Sequence, residues 1–358
     1  MSDTRPPCEI SWFAALCDDD YEFLGVPDPR LQSSFEHCRD IVMQAETGGF
    51  DNILCPSGYQ LGIDTTAFVA GMAALTRRIR LLMAVRIGES WPPQLARQIA
   101  TLDRMLRGRL TVNIISSDLP GEVLDSAPRY ARTVEAMHIL RSLLNGEHLS
   151  HRGEFWNLDI DPPRVGTVSG RCPPFYFGGL SPAAKEAAAQ GCDVYLMWPD
   201  TLEGVRGIIA DLRDRAAKHE RTLKFGFRVH VVVRETEAEA RTAADRLLSK
   251  LDAKVGEKIR AQSLDSQSAG VARQAELREE AAKQEGYIED NLWTGIGRAR
   301  SGCGAAVVGD PDQVLAKLNA YRDEGIEAFI LSGYPHAAEA DLFARHVLPR
   351  IHHGPLIV

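Results

Sequence analysis

The chain has 358 residues, of which 44% are hydrophobic and 25% charged, and its formal net charge is −8. That is ordinary globular composition, long enough for one large or two medium domains. No Lys/Arg-rich run occurs, which excludes nucleic acid and anionic membranes as expected partners but leaves room for a phosphate or sulfonate held by local positive charge.

The start, "MSDTRPPCEI", lacks a basic stretch followed by an apolar one, so no signal peptide is expected, and no apolar window is long enough to span a bilayer. "CEISWFAAL" then reads as a strand, "SFEHCRDIVMQAETGG" has helical spacing and a Gly stop, and "FDNILCPSG" is a second strand with a turn. "DTTAFVAGMAALT" opens on Asp64, a good N-cap. "RIRLLMAVRI" is a long apolar run, and "PPQLARQIATLDRML" is helical with Pro in its first turn. "RLTVNIISS" is a further strand, followed by the helix "RYARTVEAMHILRSLL". Residues 147–174 are Pro/Gly-rich and partly alternating, which predicts a small hairpin and loop.

The alternation then resumes. "FYFGG" precedes "SPAAKEAAAQG", "DVYLMW" precedes "LEGVRGIIADLRDRAAKH", and "LKFGFRVHVVVRE" precedes "TEAEARTAADRLLSKL". "QVLAKLNAYRDEG" leads into "IEAFILSG" and the closing helix "EADLFARHVLPRI". Eight strands separated by helices imply a parallel sheet, and an α/β (β/α)₈ TIM barrel rather than an open sheet. No G-x-G-x-x-G follows the first strand, which weighs against a dinucleotide-binding fold. Residues 1–358 form one domain in this reading. Residues 251–298 interrupt it between strands 7 and 8 as a long, charged insertion, either a mobile lid or a solvated helical hairpin without a role. The seven cysteines are odd in number and form no C-x-x-C pair, so neither a disulfide framework nor a zinc site is expected, and a reducing, cytoplasmic setting fits.

In a barrel, the C-terminal strand tips converge on one mouth. Arg228 and His230 lie two apart on one strand face, opposite Phe227, Val229, Val231 and Val233. A buried guanidinium needs a partner, either a core carboxylate or an anionic ligand. Trp198 ends another strand, and Arg298 and Arg300 sit in a Gly-rich turn after the insertion. Tyr334 and His336 follow the last strand in "LSGYPH", as a plain turn or as two functional rings. No carboxylate pair or metal-ligand cluster accompanies these cations and rings, and an anionic substrate head fits them best. Gly178, Gly179 and Ser181 place free backbone N–H groups and a helix start after a strand, an arrangement that can hold a phosphate, and Tyr130 is within reach of the same area. Asn113 is a lone amide in an apolar strand, either a satisfied core group or a contact to a planar polar cofactor.

These segments resemble the bacterial-luciferase-like flavin monooxygenases, most closely the alkanesulfonate monooxygenases that use reduced FMN. The matching motifs are "ARQIATLDRMLRGRLTVNIISSD", "PPFYFGG", "KFGFRVHVVVRET", "NLWTGIGRARSGCGAAVVGD" and "GIEAFILSGYPH", which together run through nearly the whole chain. The resemblance implies a (β/α)₈ barrel with a mobile insertion, and O₂-dependent cleavage of a C–S bond to an aldehyde and sulfite. It implies FMN as reduced FMNH2, supplied by a separate NAD(P)H-dependent FMN reductase, and by analogy a homodimer or homotetramer. Carried over by motif, Arg228, His230, Arg300, Tyr334 and His336 fall on catalytic positions. Trp198, with Arg228, His230 and Arg300, falls on the substrate site. Asn113, Tyr130, Gly178, Gly179 and Ser181 fall on flavin- and phosphate-contacting positions. Two departures stand out. The loop after strand 2, "PSGYQLGIDTT", carries Tyr59 and Gln60 where those enzymes have a cysteine, and the loop after strand 4 is shorter. Both reshape the substrate-tail site, so a sulfonated sugar such as sulfoquinovose stands beside simple alkanesulfonates as the expected substrate. Two other readings are a luciferase-like oxygenase on a non-sulfonate substrate and a non-catalytic flavin-binding protein.

Overall fold

The computed structural model describes residues 5–122, 124–261, 268–300 and 302–356. Its barrel strands are β1 (Glu9–Phe13), β2 (Asn52–Cys55), β3 (Arg80–Arg86), β4 (Leu110–Ile115), β5 (Phe175–Phe177), β6 (Val194–Met197), β7 (Lys224–Val233) and β8 (Ala328–Ser332). Every neighbouring pair is parallel, and β8 pairs with β1, so the eight strands close into the predicted ring. The helices that cover it are α1 (Phe35–Gly48), α2 (Thr65–Ala73), α3 (Pro92–Met105), α4 (Ser126–Leu144), α5 (Pro182–Gly191), α6 (Leu202–Lys218) and α7 (Glu237–Leu248). Further along come α8 (Ala253–Ala261), α9 (Ala269–Ala281), α10 (Pro311–Glu324) and α11 (His336–His346). Among the described residues no helix is long and apolar enough to cross a membrane.

Local chemistry sets many of these boundaries. Asp64 caps α2 by accepting from the Ala67 N–H, and both Thr236–Glu239 and Asp310–Gln313 form reciprocal capping boxes. The hairpin expected within 147–174 is present as antiparallel strands Leu149–Arg152 and Asn157–Ile160. One strand was not foreseen. β7 is ten residues long, and β6 pairs only with its first four, Lys224–Phe227. Its last four, His230–Val233, pair with Ala306–Gly309, whose "AAVVGD" lies just before α10.

Strand alternation divides the core in two. Odd positions of β3 (Leu81, Met83, Val85) and the outward-facing residues of other strands, such as Ile10, Trp12 and Phe227, pack against the helices. Leu54, Leu82, Tyr176, Val194 and Ile330 fill the barrel interior. At the bottom of that interior is a polar plug. The buried Glu9 carboxylate accepts from the Tyr176 hydroxyl at 2.8 Å, Ser11 at 3.1 Å, the Asn52 amide at 3.3 Å and the Leu356 N–H at 3.2 Å. Moving up the same inward face leads to Phe13, Arg86, Asn113, Arg228, His230 and Ser332, so the apolar interior gives way to cations and amides toward the mouth.

The insertion divides into α8, α9 and a short antiparallel hairpin, Tyr287–Glu289 with Leu292–Trp293. Residues 262–267, part of the expected lid, lie outside the described residues. α9 is tied to the tip of β6. Arg273 grips Asp200 with two hydrogen bonds of 2.8 and 2.9 Å, and the buried Gln274 donates to the Pro199 carbonyl at 2.7 Å.

Candidate functional site

The mouth is organised around Arg228 on β7. Its side chain is 3% exposed, and its Nη1 donates to the carbonyls of Val229 (3.2 Å) and Ile330 (3.4 Å). Its Nη2 has no hydrogen-bond partner among the described residues. Burial pulls its pKa down, but a guanidinium stays protonated. The result is a buried cation with one edge unsatisfied. The face of Phe13, from β1, lies 4.3 Å below it.

Arg300 reaches the same place from the segment after the insertion. It is bonded to the Asp19 carboxylate and donates to the Tyr334 hydroxyl at 2.7 Å, and that hydroxyl donates to Asp19 at 2.7 Å. Burial opposes the charge on Arg300, and the Asp19 carboxylate more than offsets it, holding the pKa well above the usual arginine value. Burial pushes the Tyr334 phenol well above its ordinary range, so it remains a phenol. Of the two alternatives for a mouth cation, Arg300 therefore has a carboxylate partner, while Arg228 has none among the described residues.

The two imidazoles are held below the ordinary imidazole value. Burial, then Arg228 and Arg300, hold His230 well below the ordinary imidazole value, and burial lowers His336 as well. Both rings are neutral. His230 shares a 2.7 Å hydrogen bond with Ser332 through Nδ1, leaving Nε2 without a partner among the described residues. His336 has a tautomer set by its surroundings. Nε2 lies 2.9 Å from the Asp19 carbonyl, which can only accept, so Nε2 carries the proton and the buried Nδ1 keeps a free lone pair. The closing helix was expected from Glu339 but begins at His336, because the Asp20 carboxylate accepts the His336 N–H at 3.0 Å. The Tyr334 ring lies near both imidazoles, tilted against His230 at 5.1 Å and edge-on to His336 at 5.2 Å.

The structure thus brings Arg228, His230, Arg300, Tyr334 and His336 together. Trp198 joins at the rim, packed so closely on the insertion that a Cβ at Gly270 would lie 2.9 Å from its ring and one at Gly302 3.2 Å. Asn113, Tyr130, Gly178, Gly179 and Ser181 collect on the β4–β5 side. Asn113 is half-buried and its amide has no hydrogen bond among the described residues, so it is not a satisfied core group. Gly179 has φ +149, and a Cβ there would lie 3.4 Å from the Tyr130 hydroxyl, while a Cβ at Gly178 would lie 2.3 Å from the Leu196 carbonyl oxygen. Ser181 accepts from the Ala184 N–H at 3.2 Å and caps α5. This cradle of bare backbone, an unpartnered amide and a helix start fits a flavin with its phosphate. Tyr59 and Gln60, by contrast, are exposed on the loop after β2, Tyr59 at 68%.

Sequence reasoning missed Phe13, Asp19 and Asp20. The signal was present as "DDD" directly after a strand, at the end of the barrel where chemistry collects, but an acidic run reads first as a solvated loop.

Comparison with known proteins matches the luciferase-like monooxygenase family model to residues 23–328. The chain is 70% identical over 356 residues to a sulfoquinovose monooxygenase of Novosphingobium aromaticivorans, covering 98% of each. It is 56% identical over 346 residues to a sulfoquinovose monooxygenase of Agrobacterium fabrum, covering 96% of this chain and 89% of that one. Among solved structures, a riboflavin lyase with modified FMN and riboflavin superposes with a TM-score of 0.77 at 16% identity, covering 96% of this chain and 91% of the other. The chain belongs to the luciferase-like monooxygenase family.

Proposed function

We propose that the protein is a monooxygenase that cleaves the C–S bond of a sulfonated sugar, sulfoquinovose, using reduced FMN and O₂. The observation that carries this reading is the unsatisfied edge of Arg228, a buried guanidinium without a carboxylate, in a chain so close to two proteins named for that substrate. A sulfonate oxygen supplies the missing acceptor. The reaction balances as RCH₂SO₃⁻ + FMNH₂ + O₂ → RCHO + HSO₃⁻ + FMN + H₂O. Reduced FMN, when bound, supplies the two electrons that activate oxygen. Asn113, Tyr130, Gly178, Gly179 and Ser181 would hold it.

Arg228 binds the sulfonate, with Arg300 beside it and Trp198 walling the pocket. His230, neutral, offers Nε2 to the same oxygens or to a departing proton. His336 Nδ1 is the proton acceptor in this reading, because its lone pair is free and the Asp19 carbonyl fixes the tautomer. Tyr334 stays protonated and donates. The insertion excludes water by closing over the mouth from its anchor at Asp200. A separate NAD(P)H-dependent FMN reductase supplies the flavin, and the chain assembles as a homodimer or homotetramer.

The test is sulfite release under O₂ with FMN, a flavin reductase and a panel of sulfonates. Sulfite with sulfoquinovose supports the reading, and its absence with every sulfonate overturns it.

Two consequences are specific. Gly178→Ala forces a methyl group against the Leu196 carbonyl, and overpacking of this kind weakens binding of reduced FMN by about tenfold. Flavin titration checks this, with thermal melting as the folding control. In the pH profile of kcat/KM, the acid limb falls below the ordinary imidazole value of 6.5, since burial lowers His336 and the ring stays unprotonated as pH falls past that point. His336→Gln should remove that limb.

A further inference from the structure

A third guanidinium, that of Arg86, lies at the mouth. Arg86 is the last residue of β3 and continues the inward column of Leu82 and Ala84. It is 5% exposed. Its Nε lies 3.2 Å from a Glu89 oxygen, and its Nη2 donates to the Ser57 carbonyl at 3.3 Å. Its Nη1 is buried and has no partner among the described residues.

Its place in the ring matters. β3 and β7 are four strands apart in a ring of eight, so Arg86 and Arg228 stand on opposite walls of the mouth. A substrate anchored by its anionic end on β7 and extending across the barrel therefore ends at β3.

The two arginines are not equivalent. Among the described residues Arg228 makes no carboxylate hydrogen bond, and it suits a full anion. Arg86 has its charge offset by Glu89, so its free N–H groups suit a neutral oxygen better than a second anion. Glu89 is itself at the exposed rim, an acceptor beside a donor. A hydroxyl both donates and accepts, so adjacent hydroxyls on a ring match this donor–acceptor pair, whereas an alkyl tail leaves Nη1 unsatisfied.

We infer that Arg86 and Glu89 form a hydroxyl-reading subsite that selects a polyhydroxylated sulfonate over an alkanesulfonate. This rests on the function proposed above and identifies what reads the sugar end.

The experiment compares kcat/KM for sulfite release from sulfoquinovose and from a hydroxyl-free alkanesulfonate, in the wild type, Arg86→Gln and Glu89→Gln. The wild type should prefer the sugar. Arg86→Gln should lower the sugar-to-alkane ratio by about ten- to a hundredfold, as expected for losing a hydrogen bond to a charged donor, and Glu89→Gln should lower it by a smaller factor. Glu89 is solvent-facing, so its variant decides the matter if Arg86→Gln fails to fold. An unchanged ratio in the folded variants overturns the inference. So does an equal loss on both substrates, or a weakened affinity for reduced FMN in place of a changed ratio. If the wild type releases no sulfite from either compound, the function itself is wrong and this subsite falls with it.

Discussion

Arg228→Ala should lower kcat/KM for sulfite release by roughly thirty- to several-thousand-fold, the range expected when one partner of a buried, hydrogen-bonded charge pair is removed. Reduced FMN should still bind, because the flavin cradle lies on the β4–β5 side and Arg228 is on β7. The variant removes a mouth cation that has an unsatisfied edge and, among the described residues, no carboxylate partner. Arg228→Lys keeps the charge but loses the fork, and it should recover only part of the rate. Steady-state sulfite kinetics beside a flavin titration separates these outcomes. Retained turnover in Arg228→Ala would remove the anion site from this account. Arg300→Ala should also lose turnover, for a compound reason: it removes a cation and strands the Asp19 carboxylate that now accepts from Arg300 and Tyr334.

The second large effect concerns stability. Glu9→Ala should cost about 3–5 kcal/mol, because it leaves the buried Tyr176 hydroxyl and Asn52 amide without their shared acceptor and opens space at the base of the barrel. Chemical denaturation measures it. Glu9→Gln keeps the volume and an acceptor and should lose much less. The pH dependence follows from burial, which raises the Glu9 pKa above the ordinary glutamate value even though its hydrogen bonds and Arg80 pull it down. The folded protein then holds this proton more tightly than the unfolded chain. The contribution is present below the unfolded pKa and is lost as pH rises through the folded one. Glu9→Gln should flatten that part of the stability profile. A slope identical to wild type would mean that Glu9 is not the group responsible.

Much of the architecture was legible because it depends on local pattern. Each of the eight strands is an apolar run between turn signals, several helices open on a side-chain cap such as Ser34, Asp64, Ser181 or Thr201, and strict alternation leaves few ways to close the sheet. The strand Ala306–Gly309 was not legible. It exists because β7 outruns β6, and strand length beyond a neighbour is a property of the assembled sheet. Within the site, Arg228 and His230 announced themselves by alternation on one strand. The pairing of Arg300 with Asp19 did not, since those residues are 281 positions apart.

Residue type and spacing alone determined that cations and rings would gather at strand tips and that bare glycines would precede α5. Only the tertiary structure decided which cations remain free to bind. Arg300 is compensated by Asp19, Arg86 by Glu89, and Arg228 by no carboxylate among the described residues. It also decided that both imidazoles are neutral and that Tyr59 and Gln60 face water. The physical reason is that ionisation and free hydrogen-bonding capacity depend on burial and on every group within a few ångströms, and closing the barrel draws those groups from distant parts of the chain.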